Sequence, residues 1–412
     1  MNTITMQPVK YETALNLVLQ NSERIRTGSE FISLSESRGR VLAQNVVSDL
    51  NLPAADCSAM DGFCLKASSL AGASSDNPVN LPLVPGIDAG HTISELPEGR
   101  CAYIATGATL PPGADTVVRV EDTQTSSDRK SVCFRSEYTP GNYVRREASE
   151  LSRGDLMLQS PLLITPHVAG RIASAGLTSI AVIKKPTVAI LISGDEILMP
   201  FELPHPWQVR NSNSTMLIMQ AEEAGARVLD FGIARDRGTS ARDLFLRAVE
   251  AADIVVTSGG ISMGRHDPFK VLLSELAIKP VFYGVEIKPG KPMFFGFYNE
   301  KAIFALPGNQ VSTSVTFELF VRPFIRKVLG APPERLTLDL ELAETSLNKE
   351  KRDFFKRGSL IYQSGRTLVK PLPTQESHML TSLSGADVIF LHPAGSEKLE
   401  AGEKVRCFYL KG

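Results

Sequence analysis

The apolar positions change period several times along the chain, and each change predicts a different kind of element. Ala14, Leu17, Val18 and Ile25 fall on one side of a helix expected over residues 11–26. Residues 50–150 lose that spacing. Short β-like runs such as 102–105 and 116–121 alternate there with Pro85-Gly86 and Pro112-Gly113, which reads as a compact, mostly-β insertion. From Pro186 the pattern becomes strand, helix, strand. Residues 188–192 are continuously apolar, as in a strand buried on both faces. A helix over 214–224 can stop at Gly225, and a strand follows over 227–233. Ala241, Leu244, Phe245, Ala248, Val249 and Ala252 then repeat at helical spacing before a third strand at 253–257 and a long helix over 311–329. This alternation predicts a parallel sheet with helices on its faces. Past Ala331-Pro332-Pro333, short runs at 359–362, 367–369 and 388–391 predict a small β-barrel or sandwich.

Length and charge narrow the classes. A chain of 412 residues holds two to four domains at roughly 100–200 residues each. Lys and Arg number 44 against 45 Asp and Glu, so no basic excess exists to coat a duplex, and a nucleic-acid partner is not expected. No apolar run approaches the ~18 residues that span a bilayer, and the N-terminus has no secretory pattern, so no membrane partner is expected either. The five cysteines are dispersed without a C-x-x-C pair, which argues against a disulfide framework or a structural zinc site and for a reducing cytoplasm.

In a parallel α/β sheet, ligands bind beyond the carboxyl ends of the strands. That rule points to Ser193-Gly194-Asp195-Glu196, to the region of Asp236, and to Ser258-Gly259-Gly260-Ile261-Ser262-Met263-Gly264 with the following Asp267. The glycines let backbone N–H groups approach an anion. Glu196, Asp236 and Asp267 beside a phosphate call for a divalent cation, and Mg²⁺ suits carboxylates that bridge to phosphate oxygens. Lys288-Pro289-Gly290-Lys291-Pro292 holds two ammonium groups close, an arrangement suited to an oxyanion. Leu306-Pro307-Gly308-Asn309 supplies a further strand-to-helix turn. Gly260–Gly264 also fits G-x-S-x-G, but Ser262 lies too far past its strand for a nucleophile elbow, and His378 and His392 fall in the C-terminal β region.

Together with Asp56-Cys57-Ser58-Ala59-Met60-Asp61-Gly62, Ala105-Thr106-Gly107-Ala108 and Pro112-Gly113-Ala114-Asp115, these strings, in this order, resemble the molybdopterin molybdenumtransferases, the MoeA family that includes the E-domain of gephyrin. The resemblance covers essentially the whole chain. It implies an α/β multidomain, elongated subunit with a central parallel α/β domain of the molybdopterin-binding type, an inserted mostly-β domain and a C-terminal β-barrel-like domain. The implied boundaries are an N-terminal helix at 1–26, a linking and dimerisation domain at 27–50 plus 151–185, the insertion at 51–150, the α/β domain at 186–330 and the β domain at 331–412.

The implied activity is molybdenum insertion, in which adenylylated molybdopterin and molybdate give molybdenum-molybdopterin and AMP. The implied assembly is a homodimer with a composite active site, in transient contact with a molybdopterin adenylyltransferase. On this resemblance Asp61, Thr106, Glu196, Asp236 and Asp267 are catalytic, the last three holding Mg²⁺. Ser193, Gly194, Asp195, Ser258, Gly259, Gly260, Ser262, Lys288, Lys291, Pro307, Gly308, Arg352 and Ser382 bind substrate. The chain departs from the family pattern at Cys57, Glu150, Arg265-His266 and Gln310. A non-catalytic molybdopterin-binding paralogue or scaffold, and a tungstate-preferring insertase, are the alternative readings.

Overall fold

Strands that are apolar on every residue need cover on both faces, and the central sheet has it. The computed structural model describes residues 7–91, 93, 95–235, 240–261 and 268–411. They form two compact units, one of Met1–Ala43, Pro161–Thr165 and Ser179–Gly412, the other of Gln44–Ser160 and Pro166–Thr178. In the first unit the central sheet contains β1 (Thr187–Ser193), β2 (Arg227–Ala234), β3 (Ile254–Ser258), β4 (Lys279–Tyr283), β5 (Phe294–Tyr298) and β6 (Lys301–Leu306), in the order β2-β1-β3-β6-β5-β4. Its helices are α1 (Tyr11–Asn21), α2 (Asn213–Glu223), α3 (Ser240–Ala251), α4 (Pro268–Glu275), α5 (Gln310–Thr316) and α6 (Arg322–Val328).

The period-2 alternation of the strands sorts the core into two layers. Val188, Ile190 and Ile192 of β1 pack with Leu217 and Ala221 of α2 and Val311 of α5. Ala189 and Leu191 face the other way, onto Phe245 and Ala248 of α3 and Phe269 and Leu273 of α4. Two expectations need correcting. The sheet is mixed, because β5 runs antiparallel to both β6 and β4. Asn299 and Glu300, both at positive φ, make the two-residue hairpin that reverses β5 into β6. The long helix over 311–329 is broken by a π turn at Phe317–Val321. Pro323 has no N–H to return, and the preceding Arg322 N–H bonds back to Phe317.

Past residue 331 the expected barrel closes. Its strands are β7 (Thr337–Leu342), β8 (Asp353–Gln363), β9 (Arg366–Pro371), β10 (Val388–His392) and β11 (Lys404–Tyr409). The ring runs β8-β9-β7-β11-β10 and returns to β8 through the Phe354–His392 to Gly358–Val388 register. A two-residue strand, Ile287–Lys288, joins β8 in parallel and so carries Lys288 onto the barrel wall. The second unit is built on a six-stranded sheet. Gly62–Leu65 lies second from one edge, between Thr116–Arg119 and Cys101–Ile104, with Phe63 and Leu65 in one apolar cluster and Cys64 in the other.

Lys356 of β8 is only 6% exposed. Its ammonium donates to Ser346 Oγ at 2.9 Å and Leu347 O at 2.6 Å and lies over the Phe354 ring, with no carboxylate partner among the described residues. Ser346 Oγ meets His392 Nδ1 at 2.9 Å, and Nε2 meets Ser396 O at 2.8 Å. Burial, and then the charges of Lys288 and Arg357, push the Lys356 ammonium down to about 8. An unfolded lysine keeps its proton to about 10.4. Between those values the unfolded chain binds more protons, so stability rises with pH across the window and the gain is lost as pH falls through about 8. The expected gain is about 3 kcal/mol. Denaturant titrations of wild type and Lys356→Met from neutral pH upward should show that rise in wild type and a flatter profile in the variant. Equal slopes would assign the ammonium an ordinary pKa.

Candidate functional site

Three strand ends meet at the carboxyl edge of the central sheet. β1 ends at Ser193-Gly194, β3 at Ser258-Gly259-Gly260 and β6 at Leu306-Pro307-Gly308. Gly259 sits at φ +86°, its N–H donates to Leu306 O at 3.2 Å, and a Cβ there would collide with the Ser193 carbonyl. Gly308 packs against the Gly259 Cα from the third strand. Only glycine fits at position 259, so the predicted Gly-rich loops form one junction.

A buried polar group locks that junction. The side-chain amide N–H of Asn213, at the first position of α2, donates to Gly308 O at 2.8 Å, Ser258 Oγ at 3.0 Å and Thr313 Oγ1 at 3.3 Å. Ser258 and Thr313 hydroxyls in turn donate to Pro307 O at 3.0 and 2.6 Å. Asn213 Oδ1 is buried and has no hydrogen-bond partner among the described residues, which leaves an acceptor in place for a ligand N–H. Arg235 holds the first loop from outside, donating to Asp195 O and Ile197 O at 3.0 Å each. Glu196 is exposed, with Oε2 2.8 Å from where a Gly194 Cβ would stand, so its carboxylate folds over that glycine.

Cations gather where the Lys288 strand meets the barrel. Lys288 Nζ lies 3.0 Å from Glu350 Oε1, and Arg352 Nη2 lies 2.8 Å from Glu350 Oε2. These two partners hold the Glu350 carboxyl below its usual range, the Arg352 hydrogen bond foremost. Lys288 and Lys356 both place ammonium groups over the Phe354 ring, at 4.7 and 5.0 Å. Lys291 is exposed and has no side-chain partner among the described residues. Glu350 therefore pairs with two of these cations, while Lys291 and Lys356 have no carboxylate within ion-pair distance among the described residues, and the surplus suits an oxyanion. Ser382 has its hydroxyl committed within the protein. It donates to Met379 O at 2.7 Å and accepts Arg357 Nε at 3.2 Å.

In the second unit, Asp61 and Thr106 come together. Asp61 Oδ1 accepts the Thr106 N–H and the Thr106 hydroxyl, both at 2.7 Å. These bonds, the backbone one first, lower the Asp61 pKa and keep the exposed carboxylate ionised. Gly62 is required beside it, because a Cβ would collide with the Val118 carbonyl. Asp236, Ser262 and Asp267 lie outside the described residues, as do Arg265 and His266. Among the described residues there is no group of three or more acids, histidines or cysteines placed to hold a metal. The sequence reading missed Asn213, Thr313, Arg235, Glu350 and Lys356. Asn213 alone had a legible signal, as a polar residue opening the helix that follows β1.

Three family models match in order: the MoeA N-terminal region (domain I and II) over residues 9–176, the probable molybdopterin binding domain over 189–327, and the MoeA C-terminal region (domain IV) over 340–409. The central one covers the sheet and its Gly-lined edge and so defines a multidomain protein built around a molybdopterin-binding type of α/β domain. Molybdopterin molybdenumtransferase of Bacillus subtilis is 30% identical over 98% of this chain and 94% of its own length. Molybdopterin molybdenumtransferase 2 of Mycobacterium tuberculosis is 32% identical over 92% and 94%. A solved molybdopterin biosynthesis MoeA protein of Pyrococcus horikoshii, 28% identical, matches 98% of this chain and all of that one with a TM-score of 0.81. The chain belongs to the molybdopterin molybdenumtransferase (MoeA) family.

The junction makes a direct demand on stability. Gly259→Ala combines a strained φ with a backbone collision and should cost about 2–4 kcal/mol. Asn213→Ala strands the Ser258, Thr313 and Gly308 groups in a dry site and should cost about 2–3 kcal/mol. Chemical denaturation measures both. A loss near zero for Asn213→Ala would show that the three strand ends hold together without it.

Proposed function

We propose that this chain is a transferase that inserts molybdenum into molybdopterin. Its substrates are adenylylated molybdopterin and molybdate, and its products are molybdenum-molybdopterin and AMP. The observation that carries this reading is the pairing of two features in one unit. A glycine-built junction with an open acceptor at Asn213 stands at the carboxyl edge of the sheet, and the cation-rich cluster of Lys288, Arg352 and Lys356 stands where the barrel meets it.

The roles follow from the chemistry. Backbone amides at Gly194, Gly259 and Gly260, with Ser193, Asp195, Ser258, Ser262, Pro307 and Gly308, bind the pterin phosphate and the anhydride. Lys288 and Lys291 attract the molybdate dianion, and Arg352 adds charge beside them. Ser382 acts through Arg357. The bond that breaks joins the pterin phosphate to AMP. One water is consumed, its oxygen adding to phosphorus and a proton being released, and lysine charge offsets the negative charge on the leaving phosphate. Positioning and charge compensation suffice, with no covalent protein intermediate. Glu196, Asp236 and Asp267 would hold Mg²⁺. Glu196 supports this, being an exposed carboxylate folded over the Gly194 loop. Bound there, the ion would neutralise phosphate charge.

The working form is a homodimer in which Asp61 and Thr106 of one subunit serve the junction of the other. The 197–210 segment supports a subunit contact, because it exposes Phe201, Leu203 and Trp207 to 81%, 86% and 68%. The five cysteines are free thiols, which fits a reducing cytoplasm. Among the described residues no helix is long and apolar enough to cross a membrane. A molybdopterin adenylyltransferase is the expected supplier of the substrate.

The test is AMP release from adenylylated molybdopterin by the purified protein, with Mg²⁺ and with molybdate, tungstate or neither. Release should require the oxyanion and favour molybdate. Chelation of the metal should suppress it, and Asp61→Ala should slow it about a hundredfold or more without changing the oligomeric state. Tight binding with no oxyanion-dependent release would instead make the protein a scaffold.

A further inference from the structure

The amino ends of the same strands open on a different feature. A cleft of about 680 Å³ is lined where β1, β2 and β3 begin, by Thr187, Arg227 and Asp253 among others. Its walls also carry Arg26, Lys184 and Lys185. Among the described residues, none of Arg26, Lys184, Lys185 and Arg227 has a carboxylate within ion-pair distance or a side-chain hydrogen bond. The acids on the walls are mostly committed. Glu30 is held by Arg40 at 2.6 Å, and Asp253 accepts the Thr187 N–H at 2.9 Å and lies 3.7 Å from Lys301. Glu222 is the one lining acid without an ion pair among the described residues. Four unpaired cations therefore face one unpaired carboxylate, a surplus of three positive charges.

Solvated surface lysines are the ordinary explanation for a basic patch, and three observations argue past it here. The cations line a concavity whose volume falls in the range of small-molecule sites, about 300–1,000 Å³. Thr27 lines the same cleft, and its buried Oγ1 has no hydrogen-bond partner among the described residues. The backbone beneath is fixed, since Lys184 N–H donates to Gly28 O at 3.0 Å and Arg227 N–H to Pro186 O at 2.9 Å. An adjoining cleft of about 180 Å³ shares Lys185 and Glu222 and adds Arg38, Arg326 and Glu223, the last of these paired with Arg335 at 2.8 Å. Burying an unpaired hydroxyl beneath convergent like charges is unfavourable unless an anion takes the place.

We propose that this cleft is a second anion site, for a small molecule bearing a diphosphate group. Lys184, Lys185, Arg227 and Arg26 neutralise the phosphates, and the Thr27 hydroxyl donates to one phosphate oxygen. A single carboxylate or phosphate would leave most of the surplus charge unmet, whereas a diphosphate carries two to three negative charges, close to the surplus of three. The site does not belong to the reaction described above. β1 has seven residues, which puts its two ends about 20 Å apart.

The experiment is calorimetric titration of the full chain with inorganic pyrophosphate, and separately with ADP, at about 150 mM ionic strength. Besides any binding at the carboxyl edge, a saturable component is expected that weakens about tenfold or more in Lys184→Ala/Lys185→Ala/Arg227→Ala and persists in Lys288→Ala/Lys291→Ala. Thr27→Val keeps volume and charge and should weaken binding about threefold to tenfold. ADP binding tighter than pyrophosphate would place the diphosphate on a nucleotide; the reverse would make the free diphosphate the ligand. Absence of a saturable site overturns the proposal. So does binding that Lys288→Ala/Lys291→Ala removes and the triple variant keeps, because the anion would then sit at the opposite edge. A glutamate-rich peptide that binds more tightly than pyrophosphate would make the cleft a protein-docking surface and overturn it as well.

Discussion

One side-chain amide holds together the part of the molecule on which its chemistry depends. Asn213 opens α2, yet its amide N–H reaches Gly308, Ser258 and Thr313, which belong to the loop after β6, to the end of β3 and to α5. Three segments, separated by up to 100 residues, are thereby set to one position in a site too dry for water to replace the bond. The glycines are the other half of the same constraint. Gly259 removes the volume that a side chain would need, and Asn213 supplies the polar partners that such close backbones would otherwise lack. Neither device works alone, because glycine permits the approach without fixing it.

The Lys288-Pro289-Gly290-Lys291 string is clamped in a comparable way between the barrel and helix α5. Ile287–Lys288 pairs with β8 of the barrel, while Gly290 packs so closely on Thr316 of α5 that a Cβ would collide with its methyl group. The lysine is therefore presented by two folds at once, and the Glu350 carboxylate that steadies it comes from the barrel side. Lys356 lies deeper, without a carboxylate, stabilised by Ser346 Oγ, Leu347 O and the Phe354 ring. Its buried positive charge carries a cost in stability that rises as pH falls toward about 8.

What the sequence made legible follows from the range of each interaction. Continuous apolar runs identified β1 and β3 because a strand covered on both faces tolerates nothing else. The glycine loops were readable because glycine is chosen for backbone reasons that leave a local mark. The antiparallel strand β5 was not, since Asn299-Glu300 lacks the glycine that usually announces a two-residue hairpin. The π turn was missed because a helical apolar stripe continues through it. Glu350 and Asn213 were missed for a further reason. Their partners are 62 and up to 100 residues away, and no spacing rule reaches that far. Asp61 and Thr106 were named through resemblance, and the two bonds between them rest on a turn that Gly62 makes possible.

The two edges of the central sheet handle positive charge in opposite ways, and the contrast bears on what each can hold. At the carboxyl edge three of the cations are restrained, Lys291 being the exception: Lys288 and Arg352 share Glu350, and aromatic and hydroxyl groups fix Lys356. A pre-arranged set of this kind favours a compact, rigid tetrahedral dianion, because little side-chain entropy remains to be lost on binding. At the amino edge Lys184, Lys185 and Arg227 have no such restraints among the described residues, only a fixed backbone below them. Long, free side chains conform to a longer, flexible anion and lose more entropy in doing so. The two edges thus differ in how far their cations are held: carboxylate, hydroxyl and aromatic partners fix Lys288, Arg352 and Lys356, and nothing comparable fixes Lys184, Lys185 and Arg227 among the described residues.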